Sequence, residues 1–207
     1  MLSIYIIKQK ISFKWFRLKT ILWYKPFFKQ MGKQCVIMEP TFITPNTIIM
    51  GNNVSVGWRA RIEGVKKYQS ENFTPNIILN DGVSIQQNLH LTCADSVEIG
   101  KNTAIASNVS ITDIHHPYDD INLPIEQQNI ITKPVFIGDD CKIYNNAVIM
   151  QGTEIGKHCT VGANSIVSGK FEDYCVIVGA PAKIIKRYSF EKQGWLKTDA
   201  NGNFIEI

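Results

Sequence analysis

Between Val135 and Val167 an aliphatic residue returns every six positions without a slip: Ile137, Ile143, Ile149, Ile155, Val161 and Val167. A helix needs apolar residues about every 3.6 positions and a simple strand every second one, so neither accounts for this pattern. A period of six with turn residues in the gaps describes a short strand, a corner, and the next strand. Three such sides close a triangular coil of eighteen residues. The aliphatic residue of each hexad then points inward and stacks on its equivalent one coil away, at the spacing of paired strands, about 4.8 Å. Shorter runs repeat the period at Met50, Val56, Ile62; at Leu79, Ile85, Leu91; and at Ile99, Ile105, Ile111. Small residues stand two positions ahead (Cys141, Ala147, Thr153, Cys159, Ser165), and Gly, Asn and Asp fill the corners, where positive φ is affordable. The pattern predicts an all-β solenoid, with Cys141 and Cys159 as corner packing residues on successive coils rather than a redox pair.

The period breaks over residues 63–76 and 112–134, with Pro75, Pro117, Pro124 and Pro134 in or beside the breaks. Such interruptions are loops thrown out from one side of a solenoid, and loops of that kind carry function. The period ends after about residue 170, and residues 181–192 predict a short helical cap over the open end. The chain therefore divides into an arm over 1–38, a repeat domain over 39–180 containing the loop 112–134, and a cap with tail over 181–207.

The net charge of +4 conceals an asymmetry. Residues 1–38 hold eight basic side chains and no acidic one, while the rest of the chain has fourteen basic against eighteen acidic, a net −4. A repeat domain of negative net charge argues against nucleic acid as a partner. The five cysteines show no CxxC and no zinc spacing, which together with the lack of an apolar run of about twenty residues or a signal-peptide core predicts a cytoplasmic protein. In the arm, Ile7, Ile11, Trp15, Leu18 and Leu22 recur at helical spacing among lysines, with Phe13, Phe16, Trp23, Tyr24, Phe27 and Phe28 nearby. Two roles stay open for residues 4–30: a peripheral contact with the inner face of an anionic membrane, or a helix packed on the solenoid or a neighbouring subunit.

The hexads over residues 48–170 and the closing Gly179-Ala180-Pro181-Ala182-Lys183 resemble the hexapeptide-repeat acyltransferases, in particular galactoside, maltose and bacterial surface-polysaccharide O-acetyltransferases. The resemblance implies a left-handed parallel β-helix, a hand opposite to the usual crossover rule. It also implies a homotrimer, acetyl-CoA as acyl donor, a carbohydrate hydroxyl as acceptor, and no metal. The family's catalytic histidine stands before an out-thrown loop and a proline. In Thr112-Asp113-Ile114-His115-His116-Pro117 the match is His116, with Asp113 or a backbone carbonyl on its other ring nitrogen and His115 beside it. The acceptor position implied one coil earlier is Gln86, where the family has asparagine, with Asn88 two residues on; His90 reads as an external-face residue. The donor's pantetheine arm falls on Asn145, Ala163 and Ser168, and its 3′-phosphate on Lys183 and Lys186 with Arg187 as helper. A tryptophan usual near the second run is replaced by Lys142. Amino-sugar N-acetylation and streptogramin-type drug acetylation on the same scaffold stay open, as does a non-catalytic scaffold. A zinc carbonic anhydrase would need three converging histidines, which the spacing of His90, His115, His116 and His158 does not supply.

Overall fold

The computed structural model describes residues 2–199 and 202–205, with side chains from residue 11 onward, so Ile7 of the expected stripe lies outside the described side chains. The chain winds as a three-sided β-helix whose coils each lay one short strand on each of three sheets. Parallel pairing merges the separate hexad runs into continuous columns. Met50, Leu79, Ile99, Ile137 and Ile155 stack on the first sheet. Val56, Ile85, Ile105, Ile143 and Val161 stack on the second, and Ile62, Leu91, Ile111, Ile149 and Val167 on the third. None of these side chains is more than 3% exposed.

The corners explain the polar residues of the repeat. At the first corner Asn53, Asn102, Asp140, His158 and Tyr174, and at the second Arg59, Asn88, Asn108, Asn146 and Asn164, all hold φ between 54° and 61°. Asparagine tolerates that region better than most residues. Along the second corner the amides also bond to one another, Asn88 to Asn108 (2.8 Å), Asn108 to Asn146 (3.1 Å) and Asn146 to Asn164 (3.0 Å). Gly100 is required by close approach, since a Cβ there would come within 2.4 Å of the Gly138 carbonyl carbon. Thr103 Oγ1 donates to Gly138 O (2.8 Å) and accepts from Cys141 N (3.0 Å), tying two coils together. The Cys141 thiol repeats this pattern one coil on, donating to Gly156 O (3.1 Å) and accepting from Cys159 N (3.4 Å). All five cysteines are buried and unpaired.

Both ends differ from the expectation. The coil begins at Gln30 rather than at 39: Gln30–Met31, Val36–Ile37 and Phe42–Ile43 pair with the next coil and form a first turn of their own. Ahead of it runs α1 (Leu2–Lys19), continued by tighter and wider turns through Phe27. The face of α1 that docks is not the apolar stripe. Phe16 and Phe28 are 8% exposed, and Thr20 Oγ1 accepts from Ile37 N (2.8 Å) while donating to Phe16 O (2.7 Å). Ile11, Trp15, Leu18 and Leu22 stay 48–67% exposed. The reason is the orphan N–H at the edge of the first coil, which a threonine hydroxyl satisfies and an apolar stripe cannot. At the other end no helix forms over 181–192. Ala182–Ser189 is a strand antiparallel to Cys175–Gly179, followed by Gly194–Lys197 antiparallel to it in turn. A helix would have left the backbone groups of the last coil unpaired, whereas the hairpin pairs them and drops Ala182 and Ile184 onto the core. Among the described residues no helix is long and apolar enough to cross a membrane.

The two breaks in the period leave from one place. Arg61–Gly64 and Ser110–Thr112 lie two strands apart on the third sheet, separated by His90–Cys93. The loops that follow them therefore rise from the same corner. The earlier one folds as a small hairpin, Lys67–Tyr68 against Glu71–Asn72. The later one is pinned at its base by Ile114–His115 against Ile131–Thr132.

Candidate active site

The outer surface of the third sheet is a row of in-register residues, Arg61, His90, Ser110 and Val148, beside a second row of Glu63, Thr92 and Thr112. Because inward positions are aliphatic, these alternate positions face out. The two loops overhang them with Lys67, Tyr68, Ile114, His116, Glu126 and Ile130, enclosing an open cavity of about 560 Å³. A hollow of about 680 Å³ beside the C-terminal hairpin is larger, but it is lined by Tyr174, Tyr188, Phe190 and an Arg187–Glu172 ion pair. Carboxylates and hydroxyls line both, but only the smaller cavity has histidines, His90 and His116, and these mark it as the candidate.

His116 sits half-buried at the base of the later loop. Its Nδ1 lies 3.4 Å from Tyr68 Oη, with the two rings edge-on at 5.3 Å between centroids. Tyr68 Oη is 2.9 Å from Glu126 Oε2 and 2.9 Å from Glu126 O, and Gln69 Nε2 donates to the same carbonyl (2.6 Å). Burial first, and the Glu126 carboxylate second, push the Tyr68 phenol above its ordinary pKa. Asn129 Nδ2 donates to Glu71 Oε1 (2.9 Å), a second tie between the loops. Arg61 is paired with Glu63 and lies 5.4 Å from the Phe42 ring centroid. Among the described residues, Arg61 Nε is buried without a hydrogen-bond partner.

Asp113 does not hold the His116 ring. It is fully buried and turned back into the solenoid, where its oxygens accept from Ala94 N (2.9 Å), Asp95 N (2.8 Å) and the Cys93 thiol (3.3 Å). It thereby caps the tight third corner of the intervening coil, whose backbone N–H groups would otherwise be orphaned. Burial is the main reason that its carboxyl is raised above the ordinary range, with the Ala94 and Asp95 amides pulling the other way.

The remaining expected residues are spread over the molecule. Gln86 accepts from Ser107 Oγ (3.1 Å) near the second corner, and Asn88 starts the asparagine ladder there; neither lines the His116 cavity. His90, expected to be an ordinary external residue, does line it. His115 points away from the cavity and packs edge-on against Tyr118, with centroids 6.0 Å apart. Asn145 and Ala163 occupy successive second corners, Asn145 O accepting from Asn164 N (3.0 Å). Ser168 is exposed just past the third-sheet strand Ile166–Val167. Lys183 and Lys186 are exposed on the closing hairpin, opposite Val178 and Val176. Arg187 is engaged by Glu172 and by Gly202 O (3.3 Å), and Lys142 lies over the Tyr144 ring at 5.5 Å. His158 stacks with Tyr174 at 5.6 Å, away from the His90 and His116 cavity. Tyr68, Glu126 and Arg61 escaped the sequence reading because two lie in aperiodic loops and the third in an outward hexad position. The one available signal was phase: both breaks follow the same hexad position, Ile62 and Ile111, and so leave the same corner.

Residues 134–169 match the family model described as bacterial transferase hexapeptide (six repeats). The chain is 38% identical over 170 residues to the Escherichia coli protein named "Putative lipopolysaccharide biosynthesis O-acetyl transferase WbbJ", covering 78% of this chain and 83% of that one. It is 32% identical over 108 residues to the galactoside O-acetyltransferase of Escherichia coli, covering about half of each chain (51% and 52%). Among solved structures, a single-residue variant of the N-acyltransferase AntD from Bacillus cereus, in complex with dTDP and coenzyme A, superposes with a TM-score of 0.64 at 20% identity. That match covers 79% of this chain and 86% of AntD and bears on the fold alone.

Proposed function

The chain belongs to the hexapeptide-repeat acyltransferases, with their left-handed β-helix, and on that premise we propose that it transfers acetyl from acetyl-CoA to a sugar hydroxyl, in a surface polysaccharide or its precursor, with His116 as general base. The observation that carries the reading is His116 on the third-sheet cavity, with its Nδ1 facing Tyr68 Oη at 3.4 Å. A sugar hydroxyl attacks a thioester slowly until a neutral imidazole takes its proton. In this reading Nε2 accepts that proton as the oxygen bonds to the acyl carbon. The tetrahedral oxyanion then collapses, the C–S bond breaks, and the imidazolium returns the proton to the departing thiolate. The O-acceptor is supported by the relative matched over most of both chains, which is named as an O-acetyl transferase, and by the galactoside O-acetyltransferase. An amino-sugar acceptor is the second reading, since an amine attacking the thioester would need the same base.

The chain would work as a homotrimer. What supports this is the separation just described: Gln86, Asn88, Asn145 and Ala163 line the second corner, while His116 hangs over the third sheet. Around a threefold axis the second corner of one copy would face the third of the next, so that acceptor and pantetheine contacts come from a neighbour. Lys183 and Lys186, exposed at the end of the stack, would meet the 3′-phosphate. Sedimentation at a single-chain mass of 23.4 kDa would sink this arrangement. The outward face of α1 and the turn after it, with Ile11, Trp15, Leu18 and Leu22 among Lys14 and Lys19, would rest on the anionic inner face of a membrane. Equal co-sedimentation with neutral and anionic vesicles would count against it.

The deciding experiment is thiol release from acetyl-CoA by wild type and His116→Ala across sugars, amino sugars and sugar nucleotides. Acceptor-dependent release falling by about a hundredfold or more in the variant is expected. Hydroxyl acceptors should outrun amines. Equal rates from the two proteins, or no release with any acceptor, would overturn the reading.

A further inference from the structure

We infer that Tyr68 and Glu126 form a positioning relay for His116, in which Glu126 Oε2 accepts the phenolic proton and Tyr68 Oη accepts the proton on His116 Nδ1, leaving Nε2 unprotonated.

The argument is one of hydrogen-bond bookkeeping. A tyrosine hydroxyl has one proton to give and lone pairs to receive with. Both oxygens of Glu126 within 2.9 Å of Tyr68 Oη, the carboxylate and the main-chain carbonyl, only accept at neutral pH. The phenolic proton must therefore point toward Glu126. What Tyr68 presents to His116, 3.4 Å away, is a lone pair. An unprotonated Nδ1 would set two lone pairs against each other, so the favoured tautomer carries hydrogen on Nδ1 and leaves Nε2 basic. Since burial and the carboxylate both raise the phenol's pKa, Tyr68 keeps its proton at working pH and remains the donor in the relay. The 3.4 Å separation is long for a formed bond, as such contacts are before a substrate tightens them.

The relay is also a joint between loops. Tyr68 comes from the hairpin after the second coil and Glu126 from the loop that follows His116, and Gln69 reinforces the contact from the hairpin side. Neither loop alone aims the base. The expected carboxylate partner, Asp113, is spent on Ala94 and Asp95, which leaves the role to a residue ten positions further along the same loop than His116 itself.

The catalytic consequence rests on the proposed acetyl transfer, but the tautomer does not, and it can be read directly. Long-range proton–nitrogen spectra of protein labelled with ¹⁵N-histidine, recorded where the rings are neutral and assigned with His116→Asn, should show His116 protonated on Nδ1. In Tyr68→Phe, which keeps the ring contact and loses only Oη, the signal should move toward the Nε2-protonated form. Glu126→Ala leaves the main-chain carbonyl as acceptor for the phenolic proton and should shift the signal less than Tyr68→Phe, while Glu126→Gln retains a side-chain acceptor oxygen as well and should stay near wild type. In kinetics, Tyr68→Phe should lower kcat by about tenfold to a hundredfold with little change in the KM for acetyl-CoA, and Glu126→Gln should keep most of the wild-type kcat. An Nε2-protonated His116 in wild type, or an unchanged tautomer in Tyr68→Phe, would overturn the relay; the wild-type spectrum decides even if a variant fails to fold. A tautomer that responds as expected in a protein without acetyl transfer to any acceptor would uphold the relay and sink the functional reading alone.

Discussion

The stacked coils and the two loops of the third corner obey different rules of construction. In the coils, each inward side chain rests on its equivalent one strand away, and each backbone group finds its partner at the same spacing, from Met50 through Leu79, Ile99 and Ile137 to Ile155. In the loops no such repetition exists. They are held by individual contacts between distant residues: Tyr68 and Gln69 on Glu126, Asn129 on Glu71, and Asp113 on the corner beneath. The coils supply rigid, evenly spaced rows of outward residues, and the loops convert one of those rows into a cavity. A mutation in the coil is therefore felt as stability, and one in the loops as chemistry.

The strongest challenge to this division is Ile137→Ala in the middle of the first column. Deleting a fully buried side chain should cost about 2–5 kcal/mol, because neighbours on rungs above and below cannot collapse into the gap. Urea unfolding would read it, and kcat per folded molecule should change little. A large kcat loss without a stability loss would break the comparison.

Asp113 is where the two regions are joined, and it sharpens the boundary. Asp113→Asn replaces one acceptor oxygen with an amide that faces the Asp95 N–H, so about 1–3 kcal/mol should be lost. The pH dependence has a definite sign. The carboxyl is raised in the folded state, mainly by burial. The native state therefore holds its proton longer than the unfolded chain, and stability falls as pH rises through the interval between the two pKa values. The variant lacks that fall, so the wild-type advantage should be largest at the acid end and shrink upward. Urea midpoints of both proteins across that range test it, and a gap that widens with pH would refute it.

A smaller effect is expected at the second corner. Asn108→Ala keeps a Cβ in the left-handed region but loses the side-chain bonds to Asn88 and Asn146, and should cost about 1–2 kcal/mol. Asn108→Gly, which loses the same bonds but not the backbone freedom, should cost less. If thermal melts show the two alike, the amide ladder rather than the backbone sets the preference for asparagine.

Much of this architecture was written in the hexads. Their spacing identified the inward columns, the corners and the points where the coil opens. The thiols of Cys141 and Cys159 were legible as corner residues. The ends were less so, since Met31 and Ile37 keep the period with Ile43 but sit among arm residues, and the strand Ala182–Ser189 has no hexad to announce it. Within the site, His116 could be read from the motif ahead of the loop. Its partner could not, and Asp113, adjacent in sequence and chemically apt, was the wrong choice. Adjacency decides little at a corner, where the chain turns and neighbouring side chains point to opposite sides.

The coil thus follows from the order of residues alone, because a six-residue period makes every coil a copy of the last and local pattern repeats into global shape. The meeting of Tyr68, Glu126 and His116 does not follow from that order and exists only in the folded molecule. Those contacts span 58 and 48 residues, and they exist because two aperiodic loops leave the same corner two coils apart. Local pattern carries no information about which loop residues meet, since that is set by the path each loop takes through space after leaving the coil.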